Sequence, residues 1–312
     1  MIISATTPMW VLFGLVIVFL LVLDLRVFHR RPHEVRMKEA LAWSGVWITV
    51  SLLFGAGVYI ELGADAGHNF LTGYFIEKAL SMDNLFVFLV IFTFFGVPSE
   101  YHHIVLFWGI LGALFFRAVF IAGGVSLIHA FSWSIYILGA FLVVTGVKLA
   151  QGKEREFHPE KNIAIRLFRR FFPVTTEYAG KRFFVRANGA IAATPLFITL
   201  LVVETTDIVF ATDSIPAILG ITTDPFIVYT SNIFAILGLR ALYFVLAHVM
   251  RLFRFLHIGL AVILVFIGMK MLLTGFIAVP TDIALVVVFA ILLVSILLSL
   301  VMPAATESAG KS

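Results

Sequence analysis

The chain has 312 residues, of which 61% are hydrophobic and 13% charged, and its formal net charge is +4. A mean hydropathy of +1.07 excludes a soluble domain of this size and leaves an all-α polytopic membrane protein. There is no cysteine, so disulfides and thiolate metal sites are excluded, and a bound metal must rest on oxygen or imidazole, which favours Mg²⁺, Ca²⁺ or Mn²⁺.

The pattern of apolar runs predicts nine transmembrane helices, at roughly 8–27, 41–60, 70–95, 104–123, 130–150, 190–219, 226–248, 254–275 and 282–302. The first lacks a basic leader and a small-x-small cleavage site, so it is expected to be retained rather than removed as a signal peptide. Thr7-Pro8 and Asp224-Pro225 are capped helix starts, because proline suits the first helical position. The runs divide the chain into five parts: 1–69, two helices and a basic loop; 70–150, a first three-helix unit; 151–189, a basic cytoplasmic linker; 190–275, a second three-helix unit; and 276–312, a last helix and tail.

The basic residues behind the pI near 9.4 fall in alternate loops, the signature of orientation and not of a nucleic-acid partner. The first such loop has Arg30, Arg31, Arg36 and Lys38, the 151–189 loop has nine basic residues against four acidic, and Arg251 and Arg254 mark a third. The intervening loops carry Glu61, Asp65, Asp224 and Asp282 and no Lys or Arg. The N-terminus is therefore expected outside and the C-terminus in the cytoplasm.

The two three-helix units repeat each other. Glu77 matches Asp207 and Asp83 matches Asp213 at an offset of 130; Arg117 matches Arg240 at 123; Gly146 and Lys148 match Gly268 and Lys270 at 122. Three helices is an odd number, so the second copy must enter the membrane from the opposite side. Inverted repeats of this kind are a common transporter architecture, with the site near the midplane where the copies meet.

Five carboxylates lie inside the apolar runs of these copies: Glu77, Asp83, Glu204, Asp207 and Asp213. At roughly 2.5–3.5 kcal/mol each they would cost on the order of 12–17 kcal/mol if left unpaired, so a cation, a proton or a buried partner must compensate. On ideal helices Glu77, Ser81 and Asn84 share one face, and Glu204, Asp207, Ala211 and Ser214 share another. Asp83 and Asp213 sit about 100° round from these stripes and about 9 Å along the axis. One ion cannot use both acids of a straight helix: either the helix unwinds or the ion takes one acid from each copy. Pro216 predicts a local break that frees the Thr212 carbonyl beside Asp213.

Asn84 and Ser214 are candidate neutral ligands because each follows a motif aspartate. Arg117 and Arg240 are candidate supporting residues that neutralise the site when the ion leaves; the acids could instead pair permanently with Lys78, Arg117 or Arg240. Lys148 and Lys270 are placed to snorkel at span ends. Residues Ile163 to Phe172 form a basic amphipathic segment suited to the anionic inner leaflet. No Ser/His or Cys/His pairing, zinc-helix motif or phosphate loop appears in the spans, so no catalytic residue and no enzyme activity is expected.

The longer runs Gly73-Tyr74-Phe75-Ile76-Glu77-Lys78 with Asp83-Asn84, Phe210-Ala211-Thr212-Asp213-Ser214-Ile215-Pro216, Thr222-Thr223-Asp224-Pro225-Phe226 and Ser231-Asn232-Ile233-Phe234 through Leu239-Arg240-Ala241 resemble the TerC family of bacterial inner-membrane proteins, most closely its Alx-like branch. That resemblance implies divalent-metal homeostasis, chiefly manganese export. The implied metal-site acids are Glu77, Asp83, Glu204, Asp207 and Asp213. The expected function is a secondary transporter moving Mn²⁺, without a permanently bound cofactor and with protons as possible counter-ions. The alternatives are a non-transporting hub of a stress-response complex and a Ca²⁺/H⁺ carrier of the same build. The expected partners are the metal ion and the lipid bilayer.

Overall fold

In the computed structural model the described residues are 6–28, 37–151, 163–187, 190–249, 255–276 and 279–301. Arg30, Arg31, Arg36, Arg251 and Arg254 lie outside them, as do the side chains of Asp24, Asp83 and His248. The described residues form eleven helices and one β-hairpin: α1 Thr7–Phe28, α2 Met37–Leu62, α3 Ala64–Phe95, α4 Ser99–Ala130, α5 Ser134–Ala150, α6 Ile163–Phe171, β1 Phe184–Ala187, β2 Ala190–Ala193, α7 Pro195–Leu219, α8 Pro225–Leu237, α9 Leu239–Val249, α10 Leu256–Leu272 and α11 Thr281–Val301. Helices prevail because a membrane segment must satisfy its backbone groups from within itself.

The ends follow local chemistry. Asp224 caps α8, its carboxylate accepting from the Phe226 and Ile227 amides at 2.8 and 3.1 Å, with Pro225 as the first helical residue. At the end of α3, Gly96 turns left-handed (φ 60°) and the Val97 amide reaches back to the Phe92 carbonyl at 2.9 Å.

The expectation of nine spans is only partly met. By length and composition α2, α3, α4, α7 and α11 can cross a membrane, and α8 with α9 makes a sixth if the bent pair is one span. Of the other three expected spans, α5 and α10 are apolar helices too short by the same measure, and α1 is an apolar helix of 22 residues whose described side chains end at Leu23. At 17 residues, α5 and α10 each rise roughly 25 Å, short of a hydrocarbon core of about 30 Å.

Two boundaries are corrected. The expected span 226–248 is broken at Gly238 and bends there by 43°. A Cβ at Gly238 would meet both Trp47 Cβ and Lys78 Nζ at 2.9 Å, so α2 and α3 press directly on the break. The expected span 190–219 begins instead at Pro195, because 190–193 is the second strand of the hairpin, paired antiparallel with β1 from Phe184 opposite Ala193 to Ala187 opposite Ala190. The linker 151–189 thus carries structure of its own, α6 and β1.

The packing has a two-fold character. α3 packs on α8 as α7 packs on α4, and α5 packs along α10. In that last seam a Cβ at Gly268 would meet the Gly139 carbonyl at 2.6 Å and the Val143 amide nitrogen at 2.9 Å. A Cβ at Gly146 would meet the Ala261 carbonyl at 2.7 Å and the Val265 amide nitrogen at 3.0 Å. Adding the sequence offset of 122 to Gly139, Val143 and Gly146 gives Ala261, Val265 and Gly268. Small residues let the two backbones touch, the means by which membrane helices associate without a hydrophobic drive. An aromatic cluster with Phe13, Phe54, Phe70, Phe226 and Phe234 fastens α1 and α2 onto α3 and α8.

Candidate functional site

Four helices, α3, α4, α7 and α8, meet around one guanidinium. Arg117 on α4 is 1% exposed and Glu77 on α3 is fully buried. The helical period carries Ser81 onto the same face as Glu77, and its hydroxyl donates to Glu77 Oε1 at 3.0 Å. Arg117 Nη1 donates to that same Glu77 oxygen, to Asn232 Oδ1 on α8 at 3.1 Å and, at 3.4 Å, to Ser214 Oγ on α7. Its other edge faces Asp207 on α7, with Nη2 to Oδ1 at 3.2 Å and Nε to Oδ2 at 3.4 Å. The Asn232 amide donates to Glu77 Oε2 at 3.1 Å, closing the network. Two carboxylates against one guanidinium leave a formal charge of −1 when both are ionised. Such a group, buried in an apolar bundle, holds together because the guanidinium bridges both carboxylates and Ser81 and Asn232 donate to Glu77.

Of the sequence-predicted residues, Glu77, Asp207 and Ser214 are therefore brought together on Arg117. The two acids come from different three-helix units, and neither α3 nor α7 unwinds. Asn84 is buried on α3 but is not hydrogen-bonded into this network. Arg240 is 1% exposed and, with Asp207, lines a cavity of about 20 Å³ between α3, α4, α7 and α9, room for about one water. Asp213 is half-buried on α7, six residues beyond Asp207. The side chain of Asp83 lies outside the described residues.

Glu204, one turn before Asp207, points elsewhere. Its carboxylate rests on α4 where Gly112 has no side chain, and a Cβ there would overlap it. Its Oε2 is buried without a hydrogen-bond partner among the described residues. Thr205 and Thr206 return their hydroxyls to their own helix, to Leu201 at 2.9 Å and Val202 at 2.6 Å.

The predicted break at Pro216 does not occur. α7 runs unbroken to Leu219, since Pro216 stands in its last turn and removes a single donor there. Thr212 is exposed and its hydroxyl donates to the Val209 carbonyl at 2.7 Å. The break lies instead between α8 and α9, where the Lys78 ammonium donates to the Ala235 carbonyl at 3.1 Å. A cation is thus already placed at the carbonyl end of the half-helix α8. Among the described residues no three carboxylate or imidazole groups are clustered as a metal cage. Asn232 is a site residue that the sequence does not single out, since it carries no charge.

A family profile described as "Integral membrane protein TerC family" matches residues 62–307. "Uncharacterized membrane protein STKORF319" of Myxococcus xanthus is 50% identical over 293 residues, covering 94% of this chain and 92% of that protein. An "Uncharacterized membrane protein" of Rickettsia bellii is 44% identical over 292 residues, 94% of this chain and 97% of the other. "Putative membrane-bound redox modulator Alx" of Escherichia coli K12 is 46% identical over 303 residues, 94% of each. No solved structure matches.

Proposed function

The chain belongs to the TerC family of integral membrane proteins, and from that premise we propose that it is a secondary transporter that exports a divalent cation, Mn²⁺ in first place, from the cytoplasm. The observation that carries this reading is the sharing of Arg117 by Glu77 and Asp207, one acid from each three-helix unit. Carboxylates flanked by Ser81, Ser214 and Asn232 form an all-oxygen and amide environment, which suits a hard cation. In this arrangement Arg117 is the cation that the acids hold. A divalent ion brings two charges to a group whose formal charge without Arg117 is −2, so metal and guanidinium compete for the same oxygens.

The two-fold packing supports an inverted repeat, with the copies rocking about the α5–α10 seam to expose the acids to each side in turn. The broken pair α8 and α9 is a further mark of transporter architecture. Protons would be the counter-ion, since a protonated carboxylate loses its hold on a metal. Asp83, Asn84, Glu204 and Asp213 complete the proposed ion path, with Thr212 and Arg240 in support. The basic loops orient the protein in a bacterial inner membrane with the N-terminus outside and the C-terminus in the cytoplasm. No enzyme activity and no resident cofactor belong to this reading.

The name of the Escherichia coli relative offers a redox role, and the absence of cysteine means that this chain has no thiol with which to perform one. The hub reading draws on the folded segment α6–β2, and it predicts that deleting the segment matters more than removing the acids. The deciding experiment is ⁵⁴Mn²⁺ flux in sealed proteoliposomes, with Glu77→Gln and Asp207→Asn as variants and Ca²⁺ as competitor. Flux lost in both folded variants supports the transporter; absence of flux with any divalent cation transfers the case to the hub. Flux that Ca²⁺ suppresses more strongly than Mn²⁺ does assigns the carrier to calcium.

A further inference from the structure

At the end of the bundle where α3 stops and α7 begins, α6 and the hairpin form a folded cap. Phe168 packs on Phe197 in the first turn of α7, ring centroids 5.1 Å apart, and Phe184 on the same ring at 4.6 Å. Phe183 meets Trp108 of α4 edge-on at 6.3 Å, and the Tyr178 hydroxyl donates to the Phe95 carbonyl at 2.7 Å. Phe95 ends α3 and Phe197 stands in the first turn of α7, so the cap sits at headgroup depth, where aromatic side chains collect.

The helical period gives α6 three faces. Ile165 and Phe168 join the core beneath it. Leu167 and Phe171, 56% and 69% exposed, form an apolar outer stripe, and Arg166, Arg169 and Arg170 are exposed between the two. Across residues 163–187 the basic residues number six, Arg166, Arg169, Arg170, Lys181, Arg182 and Arg186, against Glu177 alone. None of the six has an ion-pair partner among the described residues.

Between this cap and the bundle lies a cavity of about 510 Å³, within the range of about 300–1,000 Å³ usual for small-molecule sites. Its walls are Phe95, Phe172, Pro195 and Ile198, and its polar groups include the Arg169 side chain and Thr176. The Thr175 hydroxyl, also at the wall, is already donated to the carbonyls of Glu177 and Ala193 at 3.2 and 3.4 Å.

We propose that this cavity seats the phosphate and the upper part of one acyl chain of an anionic phospholipid, the chain against Phe95, Phe172, Pro195 and Ile198 and the phosphate on Arg169 beside the Thr176 hydroxyl, with the rest of the lipid in the bilayer. The occupant must be amphiphilic, because the apolar wall is continuous with a guanidinium. It is anionic, because across residues 163–187 the charge is six to one and none of the six basic residues has an ion-pair partner among the described residues. Its source is the bilayer, because the cavity stands where the spans leave the membrane. The inference rests on membrane residence and on nothing said above of ion transport.

The test is native mass spectrometry of the purified full chain loaded with dioleoyl-phosphatidylglycerol or dioleoyl-phosphatidylcholine. The expected result is one retained phosphatidylglycerol in preference to phosphatidylcholine. Arg169→Gln should weaken its retention about tenfold, the effect of one charge-assisted hydrogen bond. Arg166→Gln, on the same helix but not lining the cavity, should change retention less than twofold. Both arginines are exposed, so both variants should melt as the unmodified chain does. Equal retention of the two lipids, equal loss in both variants, or displacement of the lipid by millimolar inorganic phosphate would each overturn the proposal. The last would mark a site for a soluble anion.

Discussion

Arg117 on α4 grips Asp207 on α7 through two nitrogens, Nη2 to Oδ1 at 3.2 Å and Nε to Oδ2 at 3.4 Å. Its remaining nitrogen, Nη1, donates to Glu77 of α3 as well as to Asn232 and Ser214. One side chain therefore ties together the two acid-bearing helices. Removing one member of a buried charge pair costs about 3–5 kcal/mol, because the other is left uncompensated. Arg117→Gln should accordingly melt well below the unmodified chain in the presence of a chelator. If a divalent ion takes the place of the guanidinium, Mn²⁺ should raise the melting temperature of the variant more than that of the parent. Equal shifts in a metal titration followed by intrinsic fluorescence would mean that Arg117 and metal do not compete.

Glu77→Gln and Asp207→Asn test the same group from the other side. Each leaves Arg117 with one charged partner instead of two. The double variant with Arg117→Gln should be destabilised by less than the sum of the single effects, since no lone charge remains buried in it. The measurement is a double-mutant cycle on melting temperature, and a coupling of less than about 0.5 kcal/mol would remove Arg117 from the centre of the site.

Glu204 is separate from this network and lies on bare backbone at Gly112, its Oε2 without a hydrogen-bond partner among the described residues. No bond to Arg117 has to break for it to take up a proton. Glu204→Gln should lower Mn²⁺ affinity less than Glu77→Gln does, because none of the Arg117 bonds is touched. It should also abolish the response of flux to an imposed pH gradient. A variant that keeps the gradient response would place proton coupling on another acid.

Much of this site was legible because charged residues are rare in an apolar chain. The helical period alone put Glu77 with Ser81 and Asp207 with Ser214. What it could not give was the partner across the bundle. Arg117 stood out by charge, but Asn232 did not, since an uncharged amide among apolar neighbours is commonplace. The break at Gly238 was equally hidden. Leu237-Gly238-Leu239 fits a straight helix, and only the approach of Trp47 and Lys78 makes the glycine necessary. Pro216 misled in the opposite direction, because a proline in the last turn of α7 removes one bond from a helix that is about to end. The hairpin was missed because Arg186 to Ala190 looks like the end of a basic loop, and its pairing spans only four residues a side.

The proposed repeat makes a prediction of its own at the α5–α10 seam. Gly146 and Gly268 are matched positions, each facing the backbone of the other helix. Gly146→Leu and Gly268→Leu should therefore destabilise by similar amounts, of about 1–3 kcal/mol or more, since neither backbone can retreat from the side chain. Gly123→Leu, whose added Cβ meets nothing within 4 Å, should be silent by comparison. Unequal effects of Gly146→Leu and Gly268→Leu on thermal stability would count against a two-fold seam.

Lys78 tests whether the break between α8 and α9 matters to transport. Its ammonium donates to the Ala235 carbonyl at 3.1 Å in the last turn of α8, where a helix presents its negative end and unsatisfied carbonyls. Lys78→Met keeps the aliphatic stem and removes only the charge. If Lys78 merely plugs the end of α8, the variant should lose stability, by about 1–3 kcal/mol for a charged hydrogen bond, and keep its flux. If the break moves during transport, the ammonium must leave Ala235 in each cycle, and the variant should alter flux by more than its stability loss explains. A melting curve and a ⁵⁴Mn²⁺ flux assay on the same preparation separate the two. We expect the second outcome, because a glycine pressed by two neighbouring helices is where a 43° bend can change without unwinding the half-helices on either side.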